Sequence, residues 1–400
     1  MASSSNTAQS RLSKVTDFLT GNKTATSIPW DPDCTQFPSR KHVPRREGAP
    51  AESAWVWGKN DYIGRLNLLT PTRVTQAAKQ IKTGEIVPLN LPLDVPEQPA
   101  FGRETFQHEI KPLAPGLAYD DKYSLNTQSG TQWDGFRHIA HMPSAQFYNG
   151  TTGDDIDGPN PNHKCSIHHW AEHGIAGRGV LLDYWSYAKQ NGIVYGRRGA
   201  RLCWVYLETD YFLDPFEYYT IPYTELEACG KAQGIDIRPA SAGGDIQIGD
   251  MLFIRSGFVS TYYTSAPDVR AAAALRPHTV GKDDGQHWAG VKQEEKMIDW
   301  LHDCYFSAVA GDAPSFEAWP SQQEYMLHEY ILALWGEKLF LAGSKAKLTP
   351  KLGMPLGEMF DLEKLARTCK DKGRYTFFVT SSPSNCKGGV SSHGNSLAIF

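Results

Sequence analysis

The sequence predicts one principal α/β domain. Short apolar runs of strand length alternate with amphipathic helical stretches through the middle and C-terminal parts, Gly, Pro and Asp punctuate their ends, and no internal repeat is present. A chain of 400 residues buries roughly three quarters of the surface its unfolded form exposes. Its core therefore requires neither disulfides nor a structural metal. Length alone would accommodate two to three domains, and the recurrence of strand, helix and strand selects one.

The elements follow in order. Residues 1–54 are polar, mixed and rich in Pro and Arg, ending in PSRKHVPRREGAP, and read as an extended N-terminal arm. The single domain is expected over 55–400, with insertions, and order is expected from Trp55. TPTRVTQAAKQIKTG predicts a helix with Thr70 or Thr72 at its cap, Pro71 at its entrance and Gly84 as its stop. EIVPLNLPLDV alternates like a strand but carries prolines, which suits an edge. GRGVLLDYWSYA holds a buried strand, Val180 to Leu182, ended by Asp183. GGDIQIGDMLFIRSGF predicts an alternating strand, a Gly-Asp turn and an apolar strand from Met251 to Ile254. A striped helix then precedes a short strand from Phe306 to Val309. SQQEYMLHEYILALWG predicts a further helix, and DLEKLARTCKDKGRYTFFVTSSP a helix running into a late strand from Tyr375 to Thr380.

Composition excludes several function classes. Lys and Arg number 40 against 44 Asp and Glu, giving a net charge of -4 with the signs interspersed. Nucleic acid and anionic membrane surfaces need concentrated basic charge, which is absent. The 7 cysteines are scattered with no CxxC, and read as reduced core thiols in a cytoplasmic protein rather than zinc ligands. The N-terminus lacks the apolar run of a secretory signal, and no stretch of about 18 apolar residues is free of charge. The sequon Asn149-Gly150-Thr151 is accordingly read as an unused match.

Chemistry concentrates in QSGTQWDGFRHIAH, Gln128 to His141. If Gln128 to Asp134 is extended, Gln128, Gly130, Gln132 and Asp134 share one face while Ser129, Thr131 and Trp133 face away. His138 and His141 would share a side on a helical turn. Such a polar group serves either as a satisfied hydrogen-bond network or as a site, and spacing alone leaves both open. NHKCSIHHWAEHG gathers His163, His168, His169 and His173, read as packing or pocket lining ahead of metal ligation, and His302 reads as a packed histidine. Trp57, Trp133, Phe136 and Trp170 are candidate aromatic walls for a planar ligand, although each suits a core equally. Gly-x-Ser-x-Gly is absent, and GIAGRG precedes its strand instead of following one, so a serine hydrolase and a dinucleotide site find no support.

The segment resembles the signature His-x-Gly-Thr-His-x-Asp-x-Pro-x-His of the metal-dependent cyclase family, which includes bacterial kynurenine formamidase and isatin hydrolase. Gly130, Thr131, Asp134 and His138 match it with the spacing intact. GIAGRGVLLD and GDMLFIRSGF are similar to two further strands of the family. WLHDCYFSAVAGDAPSFEAWP and the ending TFFVTSSPSNCKGGVSSHGNSLAIF resemble its longer fungal members.

The resemblance implies a cyclase-like swivelling β/β/α fold with a mixed central sheet and surrounding helices. It implies metal ligands at Gln128, Gln132, Asp134, His328 and Glu358, with His138 as general acid/base beside Asp134. Glutamine replaces histidine at the first two ligand positions. Amide oxygens suit Mn²⁺ or Mg²⁺ better than Zn²⁺, and the departure also admits a site without metal.

The implied function is a cyclase or hydrolase opening an amide, lactone or related cyclic small molecule, aromatic or polyketide-like, in secondary metabolism. A homo-oligomer is implied as well. Two other readings share the pocket: a metal-independent cyclase or isomerase using His138 and Asp134, and a catalytically silent small-molecule binding protein.

Overall fold

The computed structural model describes residues 30–43, 56–195, 214–278, 285–333 and 353–400. Its strands are β1 (Ile86–Pro88), β2 (Gln107–Ala114), β3 (Ala118–Ser124), β4 (Gln132–Asp134), β5 (Ile175–Leu182), β6 (Thr220–Ile221) and β7 (Met251–Ile254). They continue with β8 (Gly290–Val291), β9 (Ala308–Gly311), β10 (Leu356–Glu358), β11 (Thr376–Ser381), β12 (Ser391–His393) and β13 (Ser396–Ile399). The helices are α1 (Pro71–Ala77), α2 (Gly153–Asp157), α3 (His168–His173), α4 (Tyr184–Gln190), α5 (Tyr223–Ala232), α6 (Phe258–Thr264), α7 (Pro267–Ala274), α8 (Glu295–Asp303) and α9 (Glu363–Lys372).

A nine-stranded mixed sheet in the order β1-β13-β11-β5-β7-β9-β10-β4-β12 forms the centre, and helices surround it. The predicted α/β architecture and the cyclase-like swivelling β/β/α form are what the chain adopts. The strands β5, β7, β9 and β10 run parallel, and antiparallel strands extend the sheet on both sides. Met251 to Ile254 is buried at every position, as expected where a parallel strand is covered on both faces. β1 lies on the edge, where Pro88 is tolerated. The Thr70 side chain caps α1 by accepting from the Arg73 amide, and Asp183 ends β5 by capping α4 through the Ser186 amide.

Several expected elements take other forms. The segment Asp245 to Ile248 forms turns with a single bridge between Pro239 and Ile246 instead of an alternating strand. The strand expected at Phe306 to Val309 is displaced to Ala308–Gly311, because Tyr305 takes a positive φ of 53° and Ser307 tucks its hydroxyl onto the Gly249 carbonyl. The helix expected from Ser321 starts only after Met326 and continues as a π-helical turn over Glu329–Ala333; its remaining residues lie outside those described. Trp55 and most of the N-terminal arm also lie outside them. Residues 30–43 pack on the domain: Phe37 stacks on Tyr305 at 4.7 Å, and the buried Arg40 binds Asp299 of α8.

The register of β4 against β10 sets the site. Gln132 opposes Glu358 and Asp134 opposes Leu356. Opposed residues point to the same side of an antiparallel pair, so Gln132, Asp134 and Glu358 emerge on one face. Trp133 points into the core, where its indole donates to Ser381 Oγ at 2.9 Å. Gly357 opposite it leaves room for the ring, since a Cβ there would lie 2.9 Å from the indole.

Candidate functional site

Only Gln132, Trp133 and Asp134 of the expected extended run are strand; Gln128 to Thr131 turn into it. The turn nevertheless returns Gln128 to Asp134, its amide nitrogen lying 2.6 Å from Asp134 Oδ1 and 2.9 Å from His138 Nδ1. His328 comes from the segment before the π-helical turn and lies 3.0 Å from Glu358 Oε1 through Nε2. Gln132 donates to Glu358 Oε2 at 2.7 Å. All six residues expected from the resemblance thus lie in one group. His141 stands apart on Ser144 Oγ at 2.7 Å, and no helical turn joins it to His138.

Asp134 is the centre of the group and is fully buried at 0% exposure. Among the described residues its Oδ2 has no hydrogen-bond partner, while Nε2 of His138 and Nε2 of His328 each stand 3.8 Å away. Gln132 Oε1 is a second buried oxygen without a partner among them. Among the described residues, Asp134, His328 and Glu358 offer ligand atoms within 4.8 Å of one another. A buried acceptor left unpaired costs roughly 1–3 kcal/mol. Two such oxygens, the Glu358 carboxylate and the His328 imidazole form a donor set that fits a divalent cation. Gln128 differs: its hydrogen bonds place its amide nitrogen, and not its oxygen, toward Asp134.

Glu317 was not legible in the sequence. Its carboxylate is fully buried, accepts from the backbone amides of Leu327 and His328, and sits 2.7 Å from His328 Nδ1. Gln293 Nε2 donates to its other side at 2.7 Å. Such a carboxylate fixes the imidazole tautomer and directs Nε2 into the cluster. No local pattern marks Glu317, because its partners arrive from separate segments.

The electrostatics follow from burial. Burial raises the Asp134 carboxyl above its ordinary value against the pull of His138, and Glu358 raises it further. Burial pushes His138 down to about 4, leaving a neutral imidazole at neutral pH. For His328 burial favours the neutral ring, but its hydrogen bonds to Glu317 and Glu358 hold it well above its ordinary value. Without a cation the charged His328 ring offsets the buried carboxylates, and a bound cation would take the place of its Nε2 proton.

A small cleft opens beside Gln128 and Arg103, with Phe216, Phe258, Tyr262 and Trp288 on its walls. Arg103 donates to the Gln128 carbonyl at 2.6 Å, tying the cleft to the cluster. The aromatic walls expected from sequence are elsewhere. Trp133, Phe136 and Trp170 are wholly buried in the main core and Trp57 packs on Phe37, because each sits on an inward-facing position. A second group, His168, His169 and Glu172 on α3, also brings ligand atoms within 4.8 Å of one another. No helix among the described residues is long and apolar enough to cross a membrane.

The chain is similar over 87% of its length to the whole of a protein whose crystal structure is described as a novel cyclase, at 25% identity and a TM-score of 0.65. Isatin hydrolase A from Ralstonia solanacearum aligns with 79% of this chain and 92% of its own at 16% identity, with a TM-score of 0.46. An isatin hydrolase bound to the product analogue thioisatinate aligns over the same shares at 12% identity and a TM-score of 0.47. No curated protein matches. The profile of the Cyclase family, described as "Putative cyclase", matches residues 87–318, more than half of the chain, and the protein belongs to that family.

Proposed function

We propose that this protein is a divalent-cation-dependent hydrolase or cyclase acting on an amide, lactone or related bond of a small cyclic molecule. Gln132, Asp134, His328 and Glu358 hold the cation. The observation that carries this reading is the unpartnered, fully buried Asp134 Oδ2 flanked by two imidazoles. The amide oxygen of Gln132 favours Mn²⁺ or Mg²⁺ over Zn²⁺. A bound cation supplies carbonyl polarisation and acidifies a water.

The chain's own residues do the rest. His138, 19% exposed at its side chain and neutral at neutral pH, takes up a proton at its unprotonated ring nitrogen and returns it to the leaving group. Gln128 bridges the ring to Asp134 and holds its orientation. Glu317 and Gln293 fix His328. Phe216, Phe258, Tyr262 and Trp288 give the cleft apolar walls suited to an aromatic or polyketide-like ring. A panel of aryl formamides and lactones, assayed with Mn²⁺ and after chelation, tests the reading. Turnover that falls on chelation and returns with Mn²⁺ supports it; turnover indifferent to chelation supports the metal-independent reading, and none with any substrate supports a silent binder.

A second copy of the chain is the proposed partner of the hairpin formed by β2 and β3. Ile110, Leu113, Leu117, Tyr119 and Tyr123 are exposed on it, and an isolated two-stranded hairpin is marginal in water. Its Glu109, Lys111, Asp120, Asp121 and Lys122 offer both signs of charge for a self-complementary contact. A dimeric mass in solution that becomes monomeric in I110E/L117E supports this, and a monomeric wild type excludes it.

A further inference from the structure

The six-residue helix α3 carries the second cluster, and it lies outside the proposed active site. His168 and Glu172 are four residues apart and share a face of the helix. His169 brings its ring to 3.9 Å from that of His168 between centroids. Each imidazole is already held by its other nitrogen. His168 Nδ1 is 2.9 Å from Ser166 Oγ, and His169 Nε2 is 2.9 Å from the His163 carbonyl. These bonds leave Nε2 of His168 and Nδ1 of His169 as the nitrogens available to ligate. Metal-binding histidines are commonly anchored in this way, with the second nitrogen on a hydroxyl or carbonyl.

We propose that His168, His169 and Glu172 form a second divalent-metal site, selective for a zinc-like ion. Two imidazoles and a carboxylate, with ligand atoms within 4.8 Å of one another, suit Zn²⁺ or Co²⁺, with water completing the shell. The interior set, with its amide oxygen, suits a harder ion, so the two sites select different metals.

The site is mechanically connected to the chemistry. Trp170 of α3 packs edge-on against Phe136 at 4.9 Å, two residues before His138. Arg137 donates to the carbonyls of Asn162 and Lys164, in the loop that leads into α3. An ion on α3 would therefore steady the segment that presents His138.

Zinc chloride titration of metal-stripped protein against a chromophoric chelator, with elemental analysis after gel filtration, tests the site. In D134N, which lacks the interior cation ligand, one Zn²⁺ is expected to remain bound. The additional substitution H169A, at a half-buried position, is expected to remove it or weaken binding at least about tenfold. Zn²⁺ should also raise the melting temperature of the wild type more than that of H169A or E172Q. Equal zinc binding by D134N and D134N/H169A overturns the proposal, as does equal zinc stabilisation of the wild type, H169A and E172Q. Both results leave the interior site untouched, so the two readings fail separately.

Discussion

The two histidine and carboxylate clusters of this molecule are built in opposite ways. The cluster on α3 takes three residues from five consecutive positions of one short helix, with Glu172 exposed to water. The cluster at Asp134 takes its residues from β4, β10 and the segment before the π-helical turn, and encloses three carboxylates in the interior. A surface cluster can stand empty because water solvates its members. An interior cluster must be neutralised, and three buried carboxylates beside a single strongly basic imidazole leave room for a cation. Backbone register, more than local sequence, therefore determines which cluster becomes a reaction centre.

Substitutions and pH can break or sharpen that contrast. His138→Ala should lower turnover by about a thousandfold while the melting temperature stays near that of the wild type. A comparable rate would remove His138 from the chemistry.

A third histidine supplies the control, a buried ring with a carboxylate neighbour but no cluster of acids. Burial pushes His302 from 6.5 down to about 4, and its bond to Asp303 lies on the other side of that balance. Between those values the unfolded chain binds more protons than the folded one, so stability rises with pH through this window. The contribution is complete above the unfolded value, and is lost as pH falls toward 4. Its size is about 3 kcal/mol. Asp303, held low by His302 against burial, acts in the same direction at more acid pH, below its ordinary value of 3.8. Denaturant midpoints between these two pH values should flatten in His302→Asn; an unchanged slope would assign the acid sensitivity to other groups.

Smaller effects separate support from ligation. Glu317→Gln should weaken the interior cation by about ten- to a hundredfold without removing the first ligands, measured by Mn²⁺ titration with a fluorescent or paramagnetic readout. Retained affinity would reduce Glu317 to a packing role. In zinc-free protein loaded with Mn²⁺, Glu172→Gln should leave turnover unchanged, since it lies outside the interior cluster; a large loss would merge the two sites into one functional unit.

The degree to which each region was legible in the sequence follows the same contrast. The run Met251 to Ile254 announced its strand because it is apolar on both faces, and Thr70 with Pro71 announced a helix start. The group around Asp134 could be assembled from its motif resemblance, which brought in His328 and Glu358 from far along the chain. Glu317 escaped because its role depends on a backbone turn at Leu327 and His328 and on Gln293, none of which leaves a pattern. The cleft aromatics escaped for a similar reason. Phe216, Phe258, Tyr262 and Trp288 have the composition of ordinary core, and tertiary packing alone places them beside Gln128. The DIQI alternation misled because two-residue periodicity also arises in a turn-rich segment whose backbone bonds are satisfied locally.

The most direct measurement is the Mn²⁺ content of wild type and Asp134→Asn, both metal-stripped, reloaded with Mn²⁺ and separated from free ion before elemental analysis. The account predicts one tightly held Mn²⁺ in the wild type and none in the variant, with both proteins showing the same cooperative unfolding. Wild-type protein that takes up no Mn²⁺, or a folded variant that retains it in full, would contradict a cation centred on Asp134.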